Sequence, residues 1–346
     1  MLDNFFKEVG IDLGTANTLI YQKNRGLVVN EPTVAAINNK TNEILAVGEE
    51  AKKMLGRTPG HISVIRPLVN GVISDFDVTQ ELLRQFLKRL NRGSTFSSIR
   101  RAVLAVPEGL TEVERKSVED AAVTAGSAKV YLASSPLTAA LGAGLPVEAP
   151  VASLIVDIGG GTTDIAVISL GGIVVSKTLK AAGDKFNDDI IRFMRDEFHL
   201  AIGESTAESA KISVGSAIPL DERLDTPVRG RDFSSGLPKE IIVKNSHVRA
   251  AISKSLRSIV DAIREVIEMT PPELVGDMLK QGISLSGGGA LLRGLDELIE
   301  KETGVSTRIV DEPLAAVIRG LQRIVDDFEG HRRFLESPLK PLEISL

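Results

Sequence analysis

Two stretches of the chain carry one pattern: an apolar run, an Asp, a glycine turn and a second apolar run. The first is Val9-Gly10-Ile11-Asp12-Leu13-Gly14-Thr15-Ala16-Asn17-Thr18-Leu19-Ile20. The second is Leu154-Ile155-Val156-Asp157-Ile158-Gly159-Gly160-Gly161-Thr162-Thr163-Asp164-Ile165-Ala166-Val167. Each reads as strand, tight turn, strand. One such hairpin arises readily by itself. Two with Asp at the same place point to a chain built from two related halves.

Helical periodicity follows each hairpin. Leu82, Leu83, Phe86, Leu87 and Leu90 form one apolar stripe, with Asp77 and Gln80 spaced as a capping box at its start. Thr111 and Glu114 repeat that signal for a helix ending near Gly126. Short β-type runs lie at Ala102 to Val106 and Lys129 to Leu132. Val248 to Met269 is a long amphipathic helix stopped by Pro271-Pro272. Between Ala207 and Val243 the pattern turns to short strands and loops, a small inserted β-rich subdomain, and Val28 to Pro67 is its smaller counterpart in the first half. The stretch from Glu329 to Leu346 reads as a short helix end and tail. Strands alternating with helices imply an α/β sheet with helical cover.

Composition narrows the chemistry. The 346 residues suggest two domains at roughly 150 residues each. A net charge of −5 and 4% aromatics argue against nucleic acid as a partner, because phosphate neutralisation needs a basic face and bases need stacking platforms. The absence of Cys removes disulfides, thiolate nucleophiles and zinc–thiolate sites. The four His, at 61, 199, 247 and 331, have no ligand spacing. No apolar run approaches the ~18 residues that span a bilayer, and no signal peptide opens the chain, so a cytosolic location is expected.

Three glycine turns remain: Gly14-Thr15-Ala16-Asn17, Gly159-Gly160-Gly161-Thr162-Thr163 and Gly287-Gly288-Gly289-Ala290. None is a Walker A loop or the spaced dinucleotide fingerprint. The first two sit between strands, where Gly lets successive N–H groups point into one concavity and Thr and Asn add donors. Asp12 and Asp157 end the entering strands and suit a hydrated Mg2+. The third follows a strand, Gly282 to Ser286, and opens a helix from Leu291 to Glu300, where bare backbone can approach a base, a sugar or a phosphate. Together the turns describe a nucleoside triphosphate held in a cleft between two halves.

Two strand–turn–strand phosphate loops plus a later Gly-Gly-Gly loop resemble the actin, sugar kinase and heat-shock chaperone superfamily. Within it the chain is similar over nearly its whole length to the MreB family of bacterial actins. The stretches that carry the likeness are Gly10 to Thr18, Val29-Asn30-Glu31-Pro32, Ile65-Arg66-Pro67 with Gly71-Val72-Ile73, Asp157 to Thr163, Ala182-Gly183-Asp184, Thr270 to Leu274, and Gly287 to Gly294. The resemblance implies an actin-like fold with two related domains. Each has a central mixed sheet flanked by helices and a smaller inserted subdomain. Domain I takes residues 1–145 plus 315–346, with its subdomain at about 30–72. Domain II takes 146–314, with its subdomain at about 185–245.

By the same resemblance ATP and Mg2+ are the cofactors. Gly14, Thr15, Ala16 and Asn17 hold the β/γ-phosphates, and Gly160, Gly161, Thr162 and Thr163 form the second loop. Gly183 and Asp184 lie near the nucleotide, Glu208 and Lys211 near the adenosine, and Gly287, Gly288, Gly289, Ala290 and Leu291 along base and ribose. The pair between Glu208 and Lys211 is Ser209-Ala210, where the family more often has Arg and an apolar residue. A second departure bears on hydrolysis. The family's Glu-Glu-Pro is here Ser134-Ser135-Pro136, so the carboxylate that positions the attacking water is missing. Loss of a positioned base costs ~10²–10⁴-fold. Thr162, the loops and Mg2+ remain, with Asp164 one methylene shorter than the usual Glu, so slow hydrolysis is expected.

The family polymerises on the inner membrane face. Leu2, Phe5 and Phe6 form an apolar cluster at the start, and Phe96 lies in a loop flanked by Arg92, Arg100 and Arg101. Apolar anchors beside cations suit an anionic surface. The expected partners are the chain itself, in head-to-tail and paired filaments, the inner face of the cytoplasmic membrane, and envelope proteins of the elongation machinery that link the filament to peptidoglycan synthesis. Three other readings stay open: a small-molecule kinase of the superfamily, for which no catalytic carboxylate emerges; a chaperone-like ATPase, for which the chain leaves no peptide-binding domain; and a non-hydrolysing filament partner of an active paralogue.

Overall fold

A computed structural model describes residues 6–90 and 98–336. The chain divides into two compact units, Met1–Glu148 with Ala315–Leu346, and Ala149–Leu314.

In the first unit β1 (Phe6–Leu13), β2 (Asn17–Gln22) and β3 (Gly26–Pro32) form an antiparallel meander. A small sheet follows, made of β4 (Ala35–Asn38), β5 (Glu43–Val47) and β6 (Ile62–Ile65), with α1 (Glu49–Met54) against it. The hairpin β7 (Leu68–Val69) and β8 (Val72–Ile73) leads into α2 (Phe76–Leu90). Then come β9 (Ser98–Val106), α3 (Glu112–Thr124), β10 (Val130–Ser134) and α4 (Ser135–Gly142). The central sheet runs β10-β9-β1-β2-β3, with β1 parallel to β9 and β9 to β10.

The second unit opens with the meander β11 (Ser153–Ile158), β12 (Thr163–Ser169) and β13 (Gly172–Leu179), then α5 (Gly183–Phe198). Its small sheet is β14 (Leu200–Ala201), β15 (Asp225–Asp232) and β16 (Pro238–Lys244), with α6 (Glu204–Val214) inserted after β14. Next are α7 (Asn245–Met269), α8 (Pro272–Gln281), β17 (Ile283–Ser286), a 3-10 turn at Gly288–Leu291, α9 (Leu295–Thr303) and β18 (Thr307–Ile309). The sheet runs β18-β17-β11-β12-β13, with β11 parallel to β17 and β17 to β18. The chain then returns to the first unit as α10 (Ala316–Asp326) and β19 (Leu335–Glu336), which extends that sheet antiparallel to β10. Apart from β19, order and direction match strand for strand between the units.

Local chemistry explains most of these elements. Leu154, Ile155 and Val156 on β11 are fully buried, as a central strand covered on both faces requires. The α2 stripe is buried along its whole length. Its cap is Asp75, whose Oδ1 accepts from Val78 N–H at 3.0 Å, whereas Asp77 sits in the first turn. The Thr111–Glu114 capping box forms with both bonds, at 2.7 and 3.3 Å. Gly142 and Gly320 let α4 and α10 touch backbone to backbone. A Cβ on either would lie 1.9 Å from a carbonyl oxygen of the other helix.

Other local expectations change as well. Residues 207–214 are helical as part of α6, which lies in the chain between β14 and β15 of the small sheet. The third glycine turn opens four residues of 3-10 helix, and the α-helix starts at Leu295 rather than Leu291. Near the C-terminus, Arg332–Phe334 is a 3-10 turn and the next two residues join the sheet.

Candidate functional site

Both hairpin turns close with the same bond. Gly14 N–H donates to Asn17 O at 3.1 Å, and Gly159 N–H to Thr162 O at 2.9 Å. That bond folds each turn back on itself and takes up none of its middle N–H groups. Among the described residues, the N–H groups of Thr15 and Ala16 in the first turn have no partner, nor do those of Gly160, Gly161 and Thr162 in the second. Adjacent unpaired N–H groups on a tight turn form an anion nest. Both turns stand at the C-terminal ends of parallel strands, where open α/β sheets place ligands.

The first turn is braced by residues that the sequence did not single out. Thr33, fully buried, donates its N–H to Ala16 O at 3.0 Å and its hydroxyl to Gly14 O at 2.7 Å. Its Oγ1 lies 2.9 Å from that of Thr18. Gly71 N–H donates to Thr15 Oγ1 at 3.0 Å, so the hydroxyl of Thr15 is held from the β7–β8 hairpin. Thr33 directly follows Asn30-Glu31-Pro32, the only sequence signal that could have found it. Asp12, half-buried on β1, stands in register with Leu19 and Ala105. Ser135 is the first residue of α4, buried, with Ser134 capping that helix.

The second turn is braced by backbone. Gly183 N–H donates to Gly159 O at 3.1 Å, and Asp184 N–H to Gly160 O at 2.8 Å. Helix α5 therefore spends its first donors on the turn itself. Lys211 Nζ donates to Gly183 O at 3.0 Å. Glu208 lies one turn earlier on α6, half-buried. Thr163 Oγ1 donates to Ala181 O at 2.6 Å, tying the turn's exit to the end of β13.

A polar row crosses this sheet at the level of the turn. Strand register aligns Ser286, Asp157, Asp164 and Thr178 on β17, β11, β12 and β13. Ser286 Oγ donates to Asp157 Oδ1 at 2.8 Å. Asp164 accepts from Thr162 Oγ1 at 3.2 Å and from Thr178 Oγ1. Burial pushes the Asp157 carboxyl up to about 7; the Ser286 hydroxyl opposes this and the nearby charge of Asp164 adds to it. The third turn lies over the end of β11. Gly287 has φ +79°, and a Cβ there would stand 2.3 Å from Ile158 O; one on Gly289 would stand 2.2 Å from Ile158 Cγ2. Ala290 is buried and Leu291 exposed. The second unit thus gathers Gly159–Thr163, Gly183, Asp184, Lys211 and the third turn into one place, while Gly14–Asn17 and Asp12 lie together in the first unit.

No three His, Cys, Asp or Glu side chains converge among the described residues to hold a metal alone. No described helix is long and apolar enough to cross a membrane. Of the proposed membrane anchors, Leu2, Phe5 and Phe96 lie outside the described residues, and Phe6 is the first residue of β1, in register with Ser98.

The model of the MreB/Mbl protein family matches residues 6–333. The cell shape-determining protein Mbl of Bacillus subtilis is 45% identical over 325 residues, covering 94% of this chain and 97% of that protein. The cell shape-determining protein MreB of Escherichia coli K12 is 44% identical over 331 residues, covering 94% and 95%. Among solved structures, MreB5 of Spiroplasma citri bound to ADP superposes with a TM-score of 0.89 at 40% identity, covering 94% of this chain and 97% of that one. The likeness runs through both units and every glycine turn, and the chain belongs to the MreB/Mbl family.

Proposed function

We propose that the chain is an ATP-binding bacterial actin that assembles head-to-tail on the inner face of the cytoplasmic membrane, organising cell-wall synthesis and rod-like shape. The family supplies the cell-shape role, since its relatives here are cell shape-determining proteins. The observation that carries nucleotide binding is the pair of matched turns, closed by the same bond and leaving adjacent N–H groups unpaired. Such nests suit phosphate oxygens, and the bare backbone of Gly287 to Gly289 suits a flat base or sugar. The Spiroplasma relative has been crystallised with ADP and with AMPPNP, which supports an adenine nucleotide.

Asp157 in the second unit, and Asp12 in the first, are each carboxylates of the kind that would hold a hydrated Mg2+ through its waters; the ion would supply charge neutralisation at the phosphates. Thr162, hydrogen-bonded to Asp164, orients a water in the second unit. Ser135 brings no carboxylate to the start of α4, so turnover is slow and ATP acts as an assembly switch. Leu2, Phe5, Phe6 and Phe96 anchor the filament to lipid.

Electron microscopy of the pure protein on anionic lipid with Mg-ATP, beside a nucleotide-free control, tests the reading. Paired filaments seen with ATP alone support it. Monomers in both conditions overturn it and favour the small-molecule kinase.

A further inference from the structure

The last turn of α6 is fastened to two of the glycine turns. On one side Lys211 Nζ donates to Gly183 O, and Gly183 and Asp184 donate their N–H groups to Gly159 O and Gly160 O. On the other side Arg293 Nη1 donates to Ile212 O at 3.1 Å and to Gly215 O at 3.2 Å. Arg293 stands two residues beyond the third turn, and its own carbonyl accepts from Ala217 N–H at 2.8 Å. Asn245, at the start of α7, donates to Val214 O at 2.6 Å. Helix C-termini leave carbonyls unpaired, and here three of them, Ile212, Val214 and Gly215, are taken by side chains from elsewhere in the unit. Gly215 keeps the joint close: a Cβ there would lie 2.3 Å from Lys211 O and 3.2 Å from Leu292 Cδ1. A guanidinium beside a helix C-terminus is also favoured by the helix dipole.

We propose that Arg293 is a positioning residue for the nucleotide, holding the Gly287–Leu291 turn in register with the Gly159–Thr163 loop through α6 and Lys211. The inference rests on the ATP reading above. Arg293 need not touch the ligand. The two turns are fixed relative to one another before binding, so the ligand does not have to order them. A base or ribose contact at the third turn and a phosphate contact at the second loop then act as one site rather than two.

The test titrates the full chain with Mg-ATP and Mg-ADP as wild type, Arg293→Met, Arg293→Lys, Lys211→Met and the Arg293→Met/Lys211→Met double variant. Thermal unfolding of each without nucleotide runs alongside. Arg293→Met is expected to weaken both nucleotides about fivefold, the worth of one solvent-exposed hydrogen-bonding group. Arg293→Lys, which keeps the charge at the helix end, recovers part of that loss. The double variant binds no more weakly than the weaker single one, because both changes cut one linkage. Wild-type affinity in Arg293→Met, or losses that multiply in the double variant, overturns the inference. So does a lowered melting temperature with affinity unchanged, which assigns Arg293 to folding alone. A wild-type chain that binds neither nucleotide is a separate failure, that of the ATP reading.

Discussion

The two hairpins share a topology and a closing bond, yet they differ in what surrounds the turn. Across β3, β2, β1, β9 and β10 the row through Asp12 is Asn30, Leu19, Asp12, Ala105 and Ala133, a single carboxylate with one amide and three apolar residues. The matching row of the second unit is Asp164, Asp157 and Ser286, continued by Thr178. The first turn is stiffened by the Thr33 hydroxyl at the strand exit and by the Gly71 N–H of a neighbouring hairpin, the second by a helix N-terminus and a polar ladder. A duplicated backbone therefore fixes where an anion sits, while the side chains decide where titratable chemistry accumulates. That chemistry lies in the second unit.

The largest expected effect tests the proposed role of position 135. Ser135→Glu places a carboxylate at the start of α4, where a helix N-terminus favours negative charge. Steady-state phosphate release should rise about 10²-fold. A rate equal to that of the parent would place the limiting step elsewhere.

Alanine at one glycine of each unit compares the two backbones. Gly287→Ala combines φ +79° with a Cβ only 2.3 Å from Ile158 O, so a loss of about 3 kcal/mol is expected in chemical denaturation. Gly14→Ala meets Asn17 O at 2.8 Å without a left-handed φ, and about half that loss is expected. Equal losses would mean that the first turn is as tightly built as the third.

The smallest effect is a pH dependence confined to the second row. The folded unit holds the proton of Asp157 up to about pH 7, against an ordinary value of 3.8. The raised carboxyl adds stability that is complete below the ordinary value and lost as pH rises through 7. Nucleotide-free Asp157→Asn lacks that loss. Its melting temperature should gain on the parent's between about pH 5 and pH 8, while a gap that does not change with pH would remove Asp157 as the source.

Much of this fold was legible because its signals are local. The apolar–Asp–Gly–apolar runs gave both hairpins, and the Thr111–Glu114 box formed as spaced. Where signals were weak, the reading failed. Helix α6 buries only Ala207, Ala210 and Val214, small residues that make a faint stripe, so its sequence reads as strands and loops. Asp77 fitted the cap spacing, but Asp75 makes the bond, because spacing alone does not say which Asp precedes the first helical residue. The candidate residues of the turns could be named from composition and order; their braces could not. Thr33, Ser286, Thr178 and Arg293 act through partners that the chain brings close only by folding.

By itself the sequence determined that the chain has two related halves, and that each carries a glycine turn following an Asp. Those facts reside in residue identity and short spacing. Only the tertiary structure decided that Ser286, Asp157, Asp164 and Thr178 form one row, that Leu335–Glu336 joins β10 as an edge strand, and that Arg293 closes the end of α6. Strand register and long-range hydrogen bonds join groups far apart along the chain. Their choice is made by how the whole apolar surface packs, which no local window contains.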